Sequence, residues 1–396
     1  MTGVVLTTCL MLLAGAPAAS PQEQEQDTQK QTRHPLVLGL PVRVTELEGR
    51  LTLPVIESAV IESGGWVFLF GGMTPDFKAT PAIQTRRPDG DWLPVGSQMR
   101  EARINPEALL LPDGQVFIWG GYGGSAKTTL NLRIDGEIVQ PKIAGASKGV
   151  SPPEGSAWIT PSPPKLLADG SVGVIAGSAL HRFDCKEHRW LSEEPLGRSL
   201  SAATLDVLQD GTLIACGTDP TNQRLIVMHR TQDQTLWQEW TNPDQISALG
   251  ARSHALPDER LLLLGWPGED GRPLPETLVI DPGTQTIGRG PKLPFQGGIP
   301  TWLDAIVVSG GVLVLASEQP TRNALAIPTA VFIRAESNGS LRPWRLNNLP
   351  RRRRPNVLSV GIGTIELFGG YRFATKGATM VNGTSRVNYG IGLIGD

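Results

Sequence analysis

The stretch DGQVFIWGG at residues 113–121 contains a tight turn, one spacer residue, four mostly apolar residues and a pair of mostly small residues, which here are both glycine. This order of residue types occurs seven times, with successive turns 41 to 56 residues apart. The turns fall at Gly65, Gly114, Gly170, Gly211, Glu259, Gly310 and Gly363. The chain is therefore a repeat protein with a period near fifty residues.

Each apolar quartet is a short run bounded by turn residues, as in VFLF at 67–70 and LLLL at 261–264. Such runs are typical of strands that are buried on both faces. The small residues that follow, such as Gly120-Gly121, indicate positive φ or close backbone approach. Most repeats continue with another strand, a polar turn and a tryptophan, found at Trp92, Trp190, Trp237 and Trp344. Each repeat therefore predicts four strands.

This pattern resembles the kelch-repeat family of β-propellers, whose units carry a Gly-Gly pair after the second strand and a tryptophan at the start of the fourth. The resemblance covers roughly residues 50–396. It implies an all-β, seven-bladed kelch-type β-propeller with four-stranded blades. Radial closure suits such blades, because a sheet with two apolar faces must be covered by neighbours. The segment PLVLGLPVRVTEL at 35–47 has strand character and predicts a ring closed by an N-terminal strand, within one domain over residues 35–396.

The first residues predict an exported protein. An apolar stretch at 4–14 precedes small residues with a cleavage site after Ala18, which is typical of a secretory signal peptide over residues 1–18. The stretch is too short for a membrane span. Residues 19–34 are rich in Gln, Glu, Asp and Lys and predict a disordered polar linker. We therefore expect a periplasmic or extracellular protein without a transmembrane segment.

Composition narrows the classes of function. The 46 glycines and 33 prolines fit an all-β chain, and the formal net charge of −2 argues against nucleic acid as the main partner. The chain lacks the nucleophile elbow, the phosphate loop, the zinc-protease helix and metal-ligand spacings. Cys185 and Cys216 lie in different layers of adjacent repeats, so a disulfide between them is not expected. We expect neither a cofactor nor a metal.

Counting back seven residues from each turn aligns the innermost strands and places polar residues on one face. The aligned residues are Ser58, Glu107, Pro163, Thr204, Arg252, Leu303 and Asn356. Two residues earlier lie Asn105, Thr301 and Arg354, and two residues later lie Lys165, Asp206 and His254; alternation puts all of them on the same face. This face is either a wet channel lining whose polar groups satisfy one another or a ligand pocket.

The ligand-pocket interpretation names eight binding residues and three residues for proton transfer. The binding candidates are Asn105, Glu107, Lys165, Arg252, His254, Arg352, Arg354 and Asn356. The proton-transfer candidates are Glu107, Asp206 and His254. The arginines at 351–354 form either a solvated loop or an anion site at the mouth of the channel. Trp158 and Trp302 would either line a sugar-binding mouth or fill blade junctions.

Two classes of function stay open. The first is a module that binds a small polar or acidic ligand, such as a carbohydrate, or a protein partner. The second is a sugar isomerase or lyase that acts in the channel. The chain is similar to exported bacterial sialic acid mutarotases in being one kelch-type propeller behind a signal peptide. That resemblance implies proton transfers by Glu107 or Asp206 with His254, and a carboxylate held by Arg252 and Arg354. A copper centre like that of galactose oxidase is disfavoured, because the chain has only three tyrosines.

Overall fold

The computed structural model describes residues 42–88, 90–93, 96–141, 147–153, 161–240, 250–269, 272–295, 299–319, 327–347, 349–350, 354–361, 363–374 and 377–389. The predicted signal peptide, the linker and residues 35–41 lie outside the described residues, as do Trp158 and Arg352. Over the described ranges the chain is all-β and contains no helix, so none has the length and apolar character that a membrane span requires.

The described residues form 31 strands. In chain order they are β1 Val42–Arg50, β2 Ala59–Ser63, β3 Trp66–Phe70, β4 Thr80–Arg86, β5 Ser97–Arg103, β6 Glu107–Leu110, β7 Val116–Trp119, β8 Tyr122–Gly124, β9 Leu130–Leu132, β10 Gly136–Val139, β11 Ser147–Val150, β12 Lys165–Leu166, β13 Val172–Asp184, β14 Arg189–Trp190, β15 Glu194–Val207, β16 Leu213–Thr218, β17 Leu225–Arg230, β18 Gln238–Trp240, β19 Arg252–Ala255, β20 Leu261–Leu264, β21 Leu278–Asp281, β22 Thr286–Arg289, β23 Ile299–Val308, β24 Gly311–Gln319, β25 Ile327–Ala335, β26 Leu341–Leu346, β27 Asn356–Gly361, β28 Thr364–Phe368, β29 Tyr371–Ala374, β30 Gly377–Met380 and β31 Gly383–Tyr389.

These strands pair into small antiparallel sheets. We name them sheet I (β2, β3, β4, β5), sheet II (β6, β7, β10, β11), sheet III (β12 to β18), sheet IV (β19 to β22), sheet V (β23 to β26) and sheet VI (β27, β28, β31, β1). Two short hairpins, β8–β9 and β29–β30, follow the second strands of sheets II and VI. We call the first strand of each sequence repeat, such as β6 in sheet II or β19 in sheet IV, its inner strand.

Hydrophobic clusters join successive sheets into a closed ring. Phe70 of sheet I packs with Ile118 of sheet II, and Leu367 of sheet VI packs with Leu315 of sheet V. Seven such clusters follow one another around the ring. Six of them lie between neighbouring sheets (VI and I, I and II, II and III, III and IV, IV and V, V and VI), and one lies between the two halves of sheet III. Because each sheet is covered on both faces, the described chain has the propeller-like ring that its buried quartets predict.

The N-terminal strand completes sheet VI. Strand β1 pairs antiparallel with β31, from Val42 opposite Tyr389 to Leu47 opposite Thr384. Its Val42 and Val44 pack against the cluster between sheets V and VI. The described part of the predicted closing segment therefore joins the first and last portions of the ring.

The expectation of seven separate four-stranded blades differs from what is observed. Five separate four-stranded sheets form within the described residues, and the remaining two repeats lie in the seven-stranded sheet III. Strand β13 continues without a break through Ala176-Gly177, where β3 and β7 end before a Gly-Gly pair. Strand β15 begins at Glu194, ten residues before the aligned inner-strand residue Thr204, and Glu194 pairs with Leu180 of β13. These two long strands connect repeats that the sequence pattern treats as separate.

In two sheets, the register of the inner strand differs from the one obtained by aligning the seven repeats at their turns. Glu107 pairs with Trp119, the last residue of its apolar quartet. The residues in the equivalent position of sheets I and V are Ala59, opposite Phe70, and Asp304, opposite Leu315. Counting back from the turn instead selects Ser58 and Leu303, one residue too early. A shift of one residue exchanges the two faces of a strand.

Candidate functional site

A cavity of about 500 Å³ lies inside the ring, near the first residues of the inner strands. Strands from sheets I, II, IV, V and VI contribute to its wall. Its polar lining consists of Glu57, Ser58, Asn105, Glu107, Tyr122, Arg252, Asp304, Arg354 and Asn356. The volume falls in the range of small-molecule sites, and the lining includes charges of both signs.

Arg252 lies between two carboxylates in this cavity. It is the first residue of β19, and its Nη1 lies 3.7 Å from Oε1 of Glu107 and 3.9 Å from Oδ1 of Asp304. Both distances exceed those of a hydrogen bond. The three side chains keep 46%, 36% and 44% of their surface exposed, for Arg252, Glu107 and Asp304 respectively. The groups therefore attract one another and still leave donors and acceptors open to the cavity.

The environment of Glu107 favours its protonated form. Its pKa is raised chiefly because the surrounding protein disfavours the charged carboxylate, while Arg252 opposes this effect and Asp304 adds to it. The pKa of Arg252 is raised above its ordinary value, mainly by the charge of Glu107, so this side chain stays cationic. Glu107 is thus a carboxyl that can hold or release a proton beside a fixed positive charge.

Three residues at the edge of the cavity adopt the left-handed backbone conformation. Their φ angles are 55° for Glu57, 51° for Asn105 and 50° for Arg354. Each lies two residues before the inner-strand residue that pairs with the last residue of the apolar quartet. Arg354 donates a hydrogen bond to Glu57 at 2.6 Å, and the amide of Asn105 donates to the Glu57 carbonyl at 2.7 Å. Non-glycine residues with positive φ are costly and concentrate at functional sites.

A hydrophobic cap borders the same edge. It brings Ile104, Tyr122 and Leu130, which also line the cavity, together with Tyr371 and Met380 of the β29–β30 hairpin. The two hairpins that build it are absent from the four-strand repeat and were not anticipated from the sequence. Ile104, Tyr122 and Leu130 give the cavity an apolar side, and the β29–β30 hairpin packs against them.

Three predicted residues lie outside the cavity lining. Asp206 is buried, accepts a hydrogen bond from Ser253 Oγ and lies 3.5 Å from Lys165 Nζ. His254 has a buried Nε2 without a hydrogen-bond partner among the described residues. Burial, with Arg252 and Lys165 nearby, lowers the pKa of His254 to about 3. A histidine with this pKa is neutral near pH 7 and is a poor source of protons there.

Asn356 connects the two ends of the ring. Its side-chain amide donates to the carbonyls of Val55 at 3.3 Å and Phe368 at 3.2 Å, and its Oδ1 accepts from the Ser58 amide at 2.7 Å. Asn356 is almost fully buried, and both its amide nitrogen and its oxygen are engaged. Although it borders the cavity, its side chain is occupied by backbone groups of sheets I and VI.

The structure thus places Asn105, Glu107, Arg252 and Arg354 in the cavity lining, whereas Lys165, Asp206 and His254 lie outside it. The alignment missed Glu57, Tyr122 and Asp304. The sequence contains a signal that could have identified Asp304. Ser-Gly-Gly occurs at the inner turns of two units, at 63–65 and at 309–311. In these two units the inner hairpin has a two-residue turn, which moves the register by one residue.

Other reactive groups in the described chain are shielded. Burial raises the pKa of the Cys185 thiol to about 11 and that of Cys216 well above its ordinary value. Both are therefore poor nucleophiles. Within the described residues, no three His, Cys, Asp or Glu side chains are grouped so that they could hold a metal ion.

Comparisons with known proteins leave the family of this chain unassigned. No protein-family model matches the chain, and no curated protein matches it. A solved structure described as "Structure of YjhT" aligns over 84% of this chain and 95% of that chain, with 10% sequence identity and a TM-score of 0.44. A likeness at this level identifies neither activity nor ligand. The ring of small antiparallel sheets is, on its own geometry, that of a β-propeller.

Proposed function

We propose that this chain is an exported β-propeller that binds a small polyhydroxylated ligand, of the carbohydrate class, in the cavity around Arg252. The observation that carries the proposal is the spacing of Glu107, Arg252 and Asp304. Their charged atoms converge inside a cavity of about 500 Å³ at 3.7 and 3.9 Å, beyond direct hydrogen bonding. Hydroxyl groups placed among them would complete hydrogen bonds that the protein leaves open.

The lining suits hydroxyl groups because it offers both partners of a hydrogen bond. Carboxylates at Glu107 and Asp304 accept, whereas Arg252 and the side-chain amide of Asn105 donate. A sugar hydroxyl does both. Tyr122 and the adjoining apolar cap provide a surface for the C–H faces of a sugar ring. Apolar walls combined with converging polar groups are typical of small-molecule sites.

We infer that the ring has seven kelch-type blades, two of which are joined in sheet III. One hydrophobic cluster packs Leu180 and Ile175 of β13 against Leu213 and Met228 of β16 and β17, inside that sheet. Such a cluster is what an interface between two blades would contain. Together with the recurrence of the turn, quartet and small-residue pair, it supports division of sheet III into two repeats.

The proposal includes export and a single domain. The apolar segment at 4–14 and the cleavage site after Ala18 support secretion, which would place the ring in the periplasm or outside the cell. A protein partner on the rim is the competing binding role. It predicts that soluble sugars leave the protein unaffected.

A second candidate function is sugar isomerisation, favoured by the raised pKa of Glu107. Opening of a pyranose ring needs an acid that protonates the ring oxygen and a base that removes the proton of the anomeric hydroxyl. Glu107 would donate the first proton and Asp304 would accept the second, while the bond between the anomeric carbon and the ring oxygen breaks. Reclosure on the other face reverses both transfers, so no co-reactant is consumed.

Thermal-shift screening of the mature protein against neutral, amino and acidic sugars tests the proposed binding. We expect at least one sugar to raise the melting temperature, with the shift lost in Arg252→Ala. Arg198→Ala is the matched control, because Arg198 pairs with Glu239 at 2.7 Å on an exposed surface away from the cavity lining. No shift with any sugar, or equal shifts in both variants, would refute a carbohydrate site at Arg252.

A further inference from the structure

The charges of the residues described in the cavity lining do not balance. Its described lining contains three carboxylates, Glu57, Glu107 and Asp304, and two guanidinium groups, Arg252 and Arg354. When all five are ionised, one negative charge remains. The neighbouring Lys165 does not remove it, because Lys165 lies 3.5 Å from the buried Asp206.

The two arginines are already committed to carboxylates. Arg354 donates to Glu57 at 2.6 Å, a short and charge-assisted hydrogen bond. Nη1 of Arg252 lies 3.7 Å from Glu107 Oε1 and 3.9 Å from Asp304 Oδ1. A single guanidinium group therefore offsets the charge of two carboxylates. A ligand carboxylate entering here would have to displace a protein carboxylate or lie beside three of them. Like charges at such distances repel.

We propose that the ligand of this cavity carries a protonated amino group, which binds between Glu107 and Asp304, and that the ligand class is therefore an amino sugar. This inference rests on the proposed function and specifies the charge of its ligand. An ammonium group provides three hydrogen-bond donors and one positive charge. Those donors fit carboxylates that Arg252 approaches without hydrogen bonding.

Protonation of a carboxyl group is another way to reduce the negative charge of the cavity. Burial and the charge of Asp304 raise the pKa of Glu107, so that carboxyl tends to take up a proton. A cationic ligand would replace this proton as the source of positive charge. Ligand binding and proton release from Glu107 are then linked, and the affinity for the amino sugar should increase as Glu107 loses its proton.

Isothermal titration calorimetry with matched sugars separates the alternatives. For each of the gluco, galacto and manno series, the titrants are the 2-amino sugar, its neutral N-acetyl derivative and the parent sugar, together with the corresponding uronic acid. They are compared on wild type, Glu107→Gln, Asp304→Asn and the control Glu239→Gln. Glu239 is a partly exposed carboxylate in an ion pair with Arg198. Melting temperatures confirm that each variant is folded.

The expected result is that one amino sugar binds about tenfold more tightly than its parent and its N-acetyl form. This preference falls in Glu107→Gln and Asp304→Asn, persists in Glu239→Gln, and weakens as salt is raised, because ions screen the attraction. Equal binding of amino and parent sugars, or tighter binding of a uronic acid, would overturn the inference and leave the carbohydrate site intact. Binding of no sugar in any series would reject the proposed function and this inference together.

Discussion

Nη1 of Arg252 lies 3.7 Å from Oε1 of Glu107, although β19 and β6 belong to sheets that are not neighbours in the ring. Sheet III separates sheets IV and II on one side, and sheets V, VI and I separate them on the other. The two side chains therefore meet across the interior. Closure of the ring creates this pair, which no local segment could form, and the pair defines the centre of the cavity.

Substitution of Asn356 should weaken ring closure. Asn356→Ala removes three hydrogen bonds and leaves the partly buried Ser58 amide and two carbonyls without their side-chain partner. We expect a loss of about 1 to 3 kcal/mol in the free energy of unfolding, measured with denaturant. Asn131→Ala, at an exposed position on β9, should be nearly neutral. Equal stability of the two variants would contradict the role of Asn356.

In the Gly120-Gly121 pair, the second glycine should be more sensitive to substitution than the first. Gly120 and Gly121 have φ angles of 65° and 82°, so any side chain is strained at either position. At Gly121 an added Cβ would also lie 2.7 Å from the Ile104 carbonyl oxygen, whereas its nearest contact at Gly120 is 3.7 Å away. Gly120→Ala should cost about 1 to 3 kcal/mol, Gly121→Ala should cost more, and Gly120→Val should also destabilise. Thermal unfolding that ranks the two alanine variants in the reverse order would be evidence against this packing.

Removal of the closing strand should lower thermal stability. A variant that lacks residues 1–47 loses most of β1, exposes the edge of β31 and removes Val42 and Val44 from the core between sheets V and VI. Bare strand edges also favour association between molecules. We expect a lower melting temperature and concentration-dependent light scattering. A truncated protein that melts like the full chain would show that closure depends on other contacts.

Stability should fall in acid because buried histidines are kept neutral. Burial lowers the pKa values of His181, His229 and His254, the last to about 3. In the unfolded chain these side chains take up protons below about pH 6.5. The unfolded state then binds more protons, so the free energy of unfolding decreases as pH falls from about 7 to 5. The slope of the free energy of unfolding against pH gives the number of protons taken up on unfolding. His254→Asn should lower this number by up to one, and an unchanged slope would contradict a neutral His254 in the folded protein.

The sequence predicts the repeated strands because their signals are local. Turn, apolar quartet and small pair lie within nine residues, and alternation places Glu107 and Arg252 on the correct face. The site was predicted less well, because it depends on register and on contacts between distant repeats. Two-residue turns moved Asp304 into the position assigned to Leu303. The partners that occupy Asn356 and Asp206 come from neighbouring sheets and are invisible to a pattern along one strand.

The most direct test of the central claim is a crystal structure of the mature protein with the sugar that gives the largest thermal shift. We expect ligand density in the cavity, with a polar group within hydrogen-bond distance of Arg252 and of Glu107 or Asp304. Density for the sugar on the outer rim, with the cavity holding only water, would contradict the assignment of the channel as the binding site.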